Sequence, residues 1–290
     1  MNLDLSIVIV TYNCKPYILE CMKSILEKSG SISKEIIIVD NASKDGTVEA
    51  ILSAYPEVKV IRNETNRFLR PAVNQGIRES HGRYVLWLNP DTALLTPGGF
   101  AKMVAYMDAH PRVGILGAKL MDQDGAIQLD CERFPGLLWA FCHAFLIHHF
   151  FPNNPVFRCW RYSDWDRKDT RAVDSVSGAC MLIRREVIEK IGLLEESCLM
   201  YWEEPELCRG ARKAGWEVVH FAEVEVLHHW MKGGIGLVPS KQVGEMMEKS
   251  TLYYYQKFYG NFVAGAIDFL FSVRKFASRL LKPRALNTNH

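Results

Sequence analysis

Four short stretches carry side chains able to do chemistry. In Leu88-Asn89-Pro90-Asp91-Thr92 a carboxylate follows an apolar run directly. A carboxylate so placed can hold a divalent ion against a diphosphate, although Asn-Pro-Asp is also good turn chemistry anywhere. In Asp40-Asn41-Ala42-Ser43 with Asp45-Gly46, Asp40 can accept hydrogen bonds from a base N–H or from ribose hydroxyls. The plainer alternative is a strand end followed by a helix capped by Ser43. Met200-Tyr201-Trp202-Glu203-Glu204-Pro205-Glu206-Leu207-Cys208 crowds Glu203, Glu204 and Glu206 together. Acids at a helix start complement its dipole. A carboxylate among carboxylates also has raised proton affinity, which suits a general base acting on a hydroxyl. Trp202 can stack on a sugar face or sit in a core. Last, Leu227-His228-His229-Trp230 ends a strand ahead of Gly233-Gly234. Neighbours on a strand point to opposite faces, so one imidazole of the pair can complete a metal shell or meet a diphosphate. Arg67, Arg70 and Lys232 can add positive charge near phosphates.

These residues need a scaffold, and the first half of the chain supplies strand–helix alternation. Leu5–Val10, Glu35–Val39, Val58–Ile61, Tyr84–Leu88 and Val113–Ala118 read as strands, the apolar β-branched runs being those of strands covered on both faces. Between them Pro16–Lys28, Ser43–Ala54, Pro71–Ser80 and Pro97–Ala109 read as helices. Repeated units of this kind predict an α/β fold with a mostly parallel, Rossmann-like sheet flanked by helices, whose ligands bind beyond the carboxyl ends of the strands. Thr11-Tyr12-Asn13, Asp40 and Asp91 all fall at such ends. The second half is less regular. Asp174–Arg184, Trp216–Phe221 and Glu225–Leu227 read as strands, Pro205–Ala214 as a helix, and Ser240 to about Leu281 as a long helical tail. A catalytic domain over 1–238, divided into a nucleotide-binding half (1–118) and an acceptor half (119–238), followed by a basic amphipathic tail (239–290), is the organisation expected.

Bulk properties narrow the function. With 290 residues, 23% charged and 48% hydrophobic, the chain is an ordinary globular one. A net charge of +2 gives no footprint of nucleic-acid binding. Its eight cysteines form no CxxC pair, so neither a zinc site nor a disulfide scaffold is expected, and reduced thiols in a cytoplasmic setting are. Asp4 interrupts any N-terminal apolar run, which argues against a signal peptide. No stretch reaches the ~18 apolar residues of a spanning helix.

In this order the motifs resemble the family-two glycosyltransferases of the GT-A fold, closest to the bacterial rhamnosyltransferase-like branch. The residues carrying the likeness are Ile9–Asn13, Val39–Ser43 with Asp45-Gly46, Asn74–Ile77, Leu88–Thr92, Ser177-Gly178-Ala179-Cys180, Tyr201–Glu204 with Leu207-Cys208, and His228. The resemblance implies a donor site of Thr11, Tyr12, Asn13, Asp40, Asn41, Arg67, Arg70, Asn74 and Asn89, with Thr11 and Asp40 at the base and ribose. It implies Mg²⁺ or Mn²⁺ at Asp91 and His228, Glu204 as catalytic base beside Glu203, and an acceptor site at Trp202, Gly178 and Ala179. Three departures stand out: Asn89 replaces the first acid of Asp-x-Asp, Glu204 replaces the usual Asp, and Arg67 stands where the family prefers Gly. The implied activity is inverting transfer of a sugar, rhamnose foremost, from a dTDP- or UDP-sugar to a glycan or lipid-linked saccharide in surface polysaccharide synthesis. Alternatives are a nucleotidyltransferase, whose Gly-rich phosphate loop is missing from Thr11–Lys15, or an inactive sugar-nucleotide-binding subunit of an assembly complex.

The tail interleaves Tyr253, Tyr254, Tyr255, Phe258, Phe262, Phe269, Phe271 and Phe276 with Lys257, Arg274, Lys275, Arg279, Lys282 and Arg284. A basic helix with an aromatic face reads as an anchor on the inner surface of the cytoplasmic membrane. Gly136–Phe151 offers a second apolar contact, and packing on the protein or in a homodimer is the alternative.

Overall fold

The computed structural model describes residues 3–145, 147–151, 154–230 and 239–281. Lys232, Gly233, Gly234, Lys282 and Arg284 lie outside them, as does the side chain of Arg279. In chain order the elements are β1 (Leu5–Thr11), α1 (Lys15–Lys28), β2 (Lys34–Asp40), α2 (Thr47–Ala54), β3 (Lys59–Arg62), α3 (Leu69–Arg78), β4 (Tyr84–Leu88), β5 (Thr92–Leu94), α4 (Gly99–Ala109) and β6 (Val113–Met121). There follow β7 (Cys131–Glu132), α5 (Leu137–Ala144), α6 (Ile147–Phe150), α7 (Pro155–Trp160), β8 (Arg171–Ala172), β9 (Ser175–Val176), β10 (Cys180–Arg184), α8 (Arg185–Ile191), α9 (Glu203–Lys213), β11 (Glu217–His228), α10 (Ser240–Tyr259) and α11 (Asn261–Leu281).

Nine strands form the main sheet, in the order β3-β2-β1-β4-β10-β6-β11-β5 with β8 beside β11. β1, β2, β3, β4, β6 and β11 point one way; β5, β8 and β10 run against them. The mostly parallel α/β architecture follows from β1, all seven of whose residues are buried. Its Leu5, Ile7 and Ile9 enter the core on one face with α1 and α4, while Val8 and Val10 enter the core on the other with α3, α8 and α9. The helix α3 lies so close to the sheet that a Cβ on Gly76 would stand 2.2 Å from a Val8 methyl carbon, so only glycine fits.

Three local expectations are corrected. Ser43 does not cap α2: Gly46, at φ 78°, stands at its N-cap. The Ser43 hydroxyl instead accepts from the Asn13 N–H (2.9 Å) and its own N–H donates to Asp40 Oδ2 (3.0 Å), which ties the first two strand ends together. The segments 216–221 and 225–227 are one strand, β11, with a register shift between Phe221 and Glu225. Residues 174–184 divide instead into β9 and β10, because Ser177-Gly178 turns the chain between two different sheets.

The tail breaks into two helices at Gly260, which adopts φ 92°. Tyr254 and Tyr255 are fully buried, and with Ile267 and Phe271 they form a third apolar cluster with Trp139, Phe157 and Trp202. Part of the aromatic tail is therefore core. Among the described residues no helix is long and apolar enough to cross a membrane, and all eight cysteines are free.

Candidate active site

The sheet register aligns Thr11 with Asp40 and Ile9 with Leu88, so the chain leaves β1, β2 and β4 at one edge. Beyond that edge opens a cavity of 480 Å³. Of the expected site residues, Thr11, Tyr12, Asn41, Asn89, Asp91, Glu204 and His228 line it. Side chains far apart in the sequence thus meet at one place.

The Asp91–His228 pair is the best-defined feature. β11 pairs antiparallel with β5, placing His228 opposite Thr92, and His228 Nε2 lies 3.6 Å from Asp91 Oδ1. Gln128 fixes the ring from behind: its Nε2 donates to the His228 carbonyl (2.8 Å), which leaves its Oε1 facing His228 Nδ1 at 3.0 Å. Nδ1 must then carry the proton, and Nε2 keeps a lone pair. Burial holds this imidazole in its neutral form more strongly than Asp91 favours the cation. An imidazole oriented by an outer hydrogen bond, beside a carboxylate, is a ligand set that fits a divalent metal. His229 turns away, with Nε2 3.0 Å from Glu20 and the ring against Tyr17.

Glu204 lines the same cavity. Tyr201 and Trp202 take left-handed φ values of 71° and 66°, and this double kink starts α9 with Glu204 in its first turn. The Gly178 N–H donates to Glu204 Oε1 (3.2 Å). A Cβ on Gly178 would lie 3.1 Å from that oxygen and 3.0 Å from the Trp87 ring, so glycine permits the approach. Burial raises the Glu204 pKa, against the Gly178 hydrogen bond and Arg70. The result is a carboxylate with enhanced appetite for a proton.

Several expected site residues hold this frame together without lining the cavity. Arg70 is fully buried beneath it, paired with Glu206 and 3.6 Å from Glu203, with Nη2 donating to the Tyr201 carbonyl at 2.6 Å. It neutralises the acids that flank Glu204 and has no access to a diphosphate. Glu203 is its partner; burial and then Glu204 push the Glu203 pKa up while Arg70 opposes them. Asn74 is buried between the Leu194 backbone and Glu196. Trp202 is core, edge-on to Trp139 and 5.0 Å from Tyr254. Ala179 is buried in the turn just before β10, its carbonyl accepting from the Asn89 N–H. Asn13 bridges to Lys44 and Ser43. The Arg67 N–H faces Asn41 Oδ1, at 3.4 Å, and its guanidinium does not reach the cavity wall. Asp40 also lies behind the wall, where its Oδ1 is buried with no hydrogen-bond partner among the described residues.

Sequence reasoning quoted Ser177, Tyr201 and Trp230 within motifs but gave no site role to them, to Phe68 or to Gln128; all but Gln128 line the cavity. Phe68 sits at φ 64° and ψ −171°, a region almost reserved for glycine, and a Phe gives no hint of that. Away from the cavity, Asp130, Cys131 and His220 bring ligand-type atoms within 4.8 Å. The group is wholly buried, and Asp130 is committed to Arg167 Nε (3.1 Å) and the Leu120 N–H (3.0 Å). It reads as an internal ion pair.

Comparison with known proteins agrees with this geometry. The profile of glycosyl transferase family 2 matches residues 6–192, and the chain belongs to that family; the nucleotidyltransferase alternative falls away. It is 31% identical over 236 residues to the N-acetylglucosaminyl-diphospho-decaprenol L-rhamnosyltransferase of Mycobacterium tuberculosis, covering 78% of this chain and 76% of that one. The fold resembles the structure of GalNAc-T7 with UDP, GalNAc and Mn²⁺ (TM-score 0.67, 15% identity), spanning 96% of this chain but only 54% of that chain. It also resembles a mannosyltransferase of Pyrobaculum calidifontis in complex with GDP-Man and Mn²⁺ (TM-score 0.59, 16% identity, 97% of this chain and 75% of that one).

Proposed function

We propose that the protein is a metal-dependent, inverting rhamnosyltransferase acting on a lipid-linked saccharide at the cytoplasmic face of a membrane. The observation that carries this is the meeting of Asp91, His228 and Glu204 on one cavity, with Gln128 holding His228 Nε2 ready as a ligand. Asp91 and His228 would hold Mg²⁺ or Mn²⁺, which supplies Lewis-acid stabilisation of the leaving diphosphate. Thr11 and Tyr12, which line the cavity at the end of β1, would meet the nucleotide. Glu204 takes the proton of the acceptor hydroxyl. The oxygen forms its bond to the anomeric carbon from the face opposite the diphosphate, the bond to the diphosphate oxygen breaks, and the configuration inverts. No nucleophilic side chain is needed. Rhamnose and a lipid-linked N-acetylglucosamine acceptor are proposed from likeness to the mycobacterial relative. The test is nucleotide release with dTDP-rhamnose, other dTDP-sugars and UDP-sugars, with Mn²⁺ and a short-chain polyprenyl-diphospho-N-acetylglucosamine. Acceptor-dependent dTDP release, abolished by chelator, is the expected result. No release with any donor would turn the reading toward an inactive binding subunit.

Membrane docking is part of the same proposal. Phe262, Phe269 and Phe276 are 91%, 66% and 64% exposed and recur every seven residues, one stripe along α11. Leu138 and Phe141 on α5, with Phe145 at its C-cap, form another exposed stripe, and α5 shares a buried cluster with α11. Unpaired apolar stripes on adjacent helices suit a bilayer. Truncating the tail would remove buried Tyr254 and Tyr255, so the test is the triple change Phe262→Ser, Phe269→Ser and Phe276→Ser. Co-sedimentation with anionic liposomes should fall at least about fivefold while the melting temperature holds. Unchanged sedimentation refutes membrane docking by α11, and a wild-type dimer that the triple variant dissolves would assign the face to a second copy.

A further inference from the structure

Glu204 stands between two cavities. Besides the large one, it lines a smaller cavity of 170 Å³ with Ser177, Glu132, Ser175 and Leu129. Ser177 and Glu204 belong to both. The second cavity owes its wall to the two-stranded sheet, in which β7 pairs with β9 and Glu132 stands opposite Ser175. Its volume is on the order of the ~150 Å³ that holds a benzene-sized group, room for one edge of a sugar with the rest at the opening.

The chemistry of the wall selects what can enter. The lining contains no Lys or Arg, and its acids are Asp130, Glu132 and Glu204. A diphosphate would be repelled there, whereas a neutral sugar finds hydrogen-bonding groups on several sides. Asp130 is already committed to Arg167 and the Leu120 N–H. Glu132 is different, because its carboxyl has no hydrogen bond or ion pair among those found for the described residues. We propose that this cavity is the acceptor subsite, in which Glu132 hydrogen-bonds the acceptor sugar and presents one hydroxyl to Glu204. The inference rests on the reading of Glu204 as base. Burial, and next the nearby Glu204, push the Glu132 pKa up to about 8, while Arg161 and Arg167 pull the other way. A carboxyl shifted in this direction holds its proton more readily, and when protonated it both donates and accepts, as a sugar hydroxyl does. The acceptor's diphosphate and lipid must then leave through the mouth of the cavity, where half-exposed Leu129 sits.

The experiment uses the full chain with the donor that the nucleotide panel selects and short-chain polyprenyl-diphospho-N-acetylglucosamine as acceptor. Glu132→Ala should raise the acceptor KM about tenfold or more, the loss expected for two hydrogen bonds, while the donor KM stays within about twofold. Glu132→Gln, which also donates and accepts, should restore most of the acceptor affinity. Should Glu132→Ala fail to fold, Leu129→Trp crowds the same cavity from its mouth and should raise the acceptor KM alone. An unchanged acceptor KM in both Glu132→Ala and Leu129→Trp, or a donor KM that rises in step, overturns the proposal. Full transfer activity in Glu204→Gln would defeat the reading of the base itself, separately from these outcomes.

Discussion

Replacing Glu204 by Gln should lower kcat by about a hundred- to ten-thousandfold while leaving the donor KM and the melting temperature nearly unchanged. The amide keeps an oxygen for the Gly178 N–H, which donates to Glu204 Oε1 at 3.2 Å in the native chain, so the frame survives and only the proton acceptor is lost. The pH profile gives an independent check. Burial raises the Glu204 pKa, and a base works only when deprotonated. The wild-type rate should therefore fall as pH drops through a range above that of an ordinary carboxylate, and this limb should vanish in the variant. Retention of more than about a third of kcat in Glu204→Gln would remove the residue from the reaction.

Asp91→Asn should abolish the metal-dependent part of donor binding. Titration calorimetry with the nucleoside diphosphate, with and without Mn²⁺, reads this directly. A graded comparison sharpens it: Gln128→Leu removes only the group that orients His228, and loss of such an outer partner typically costs about 10–100-fold in metal affinity. Asp91→Asn should exceed that loss. Equal affinities for the metal–nucleotide complex in wild type and Asp91→Asn would exclude Asp91 as a ligand.

What could be read along the chain was what local pattern controls. The runs Leu5–Val10 and Tyr84–Leu88 announce strands because a doubly covered strand must be apolar throughout. The polar residues at their ends follow, and so does the turning of His228 and His229 toward different partners. What could not be read depends on partners remote in sequence. Nothing in Leu69-Arg70-Pro71 reveals that Arg70 meets Glu203 and Glu206 more than a hundred residues later. A buried guanidinium between two acids differs from a phosphate-binding one only by tertiary context. Trp202 was undecidable for the same reason, since its neighbours Trp139 and Tyr254 come from both sides of it in the chain. Gln128 had no signal at all, because its role lies in one side chain reaching β11 from an irregular segment. The tail mixed two faces in one aromatic-rich composition: Tyr254 and Tyr255 go inward, Phe262 and Phe269 outward.

The Asn41 side chain makes three bonds to the protein: Nδ2 donates to the Phe68 carbonyl (3.1 Å), and Oδ1 receives Asn63 Nδ2 (3.0 Å) and the Arg67 N–H (3.4 Å). These bonds, with Asn66 Oδ1 accepting from the Phe68 N–H (2.8 Å), hold Phe68 in a backbone shape that its side chain resists, at a cost of about 1–3 kcal/mol. A ligand that took the place of the Phe68 carbonyl at Asn41 Nδ2 would release that latch, and the segment carrying Phe68 could relax. For such a ligand, occupancy of the cavity and the shape of the Phe68 segment would be thermodynamically linked, each reporting on the other.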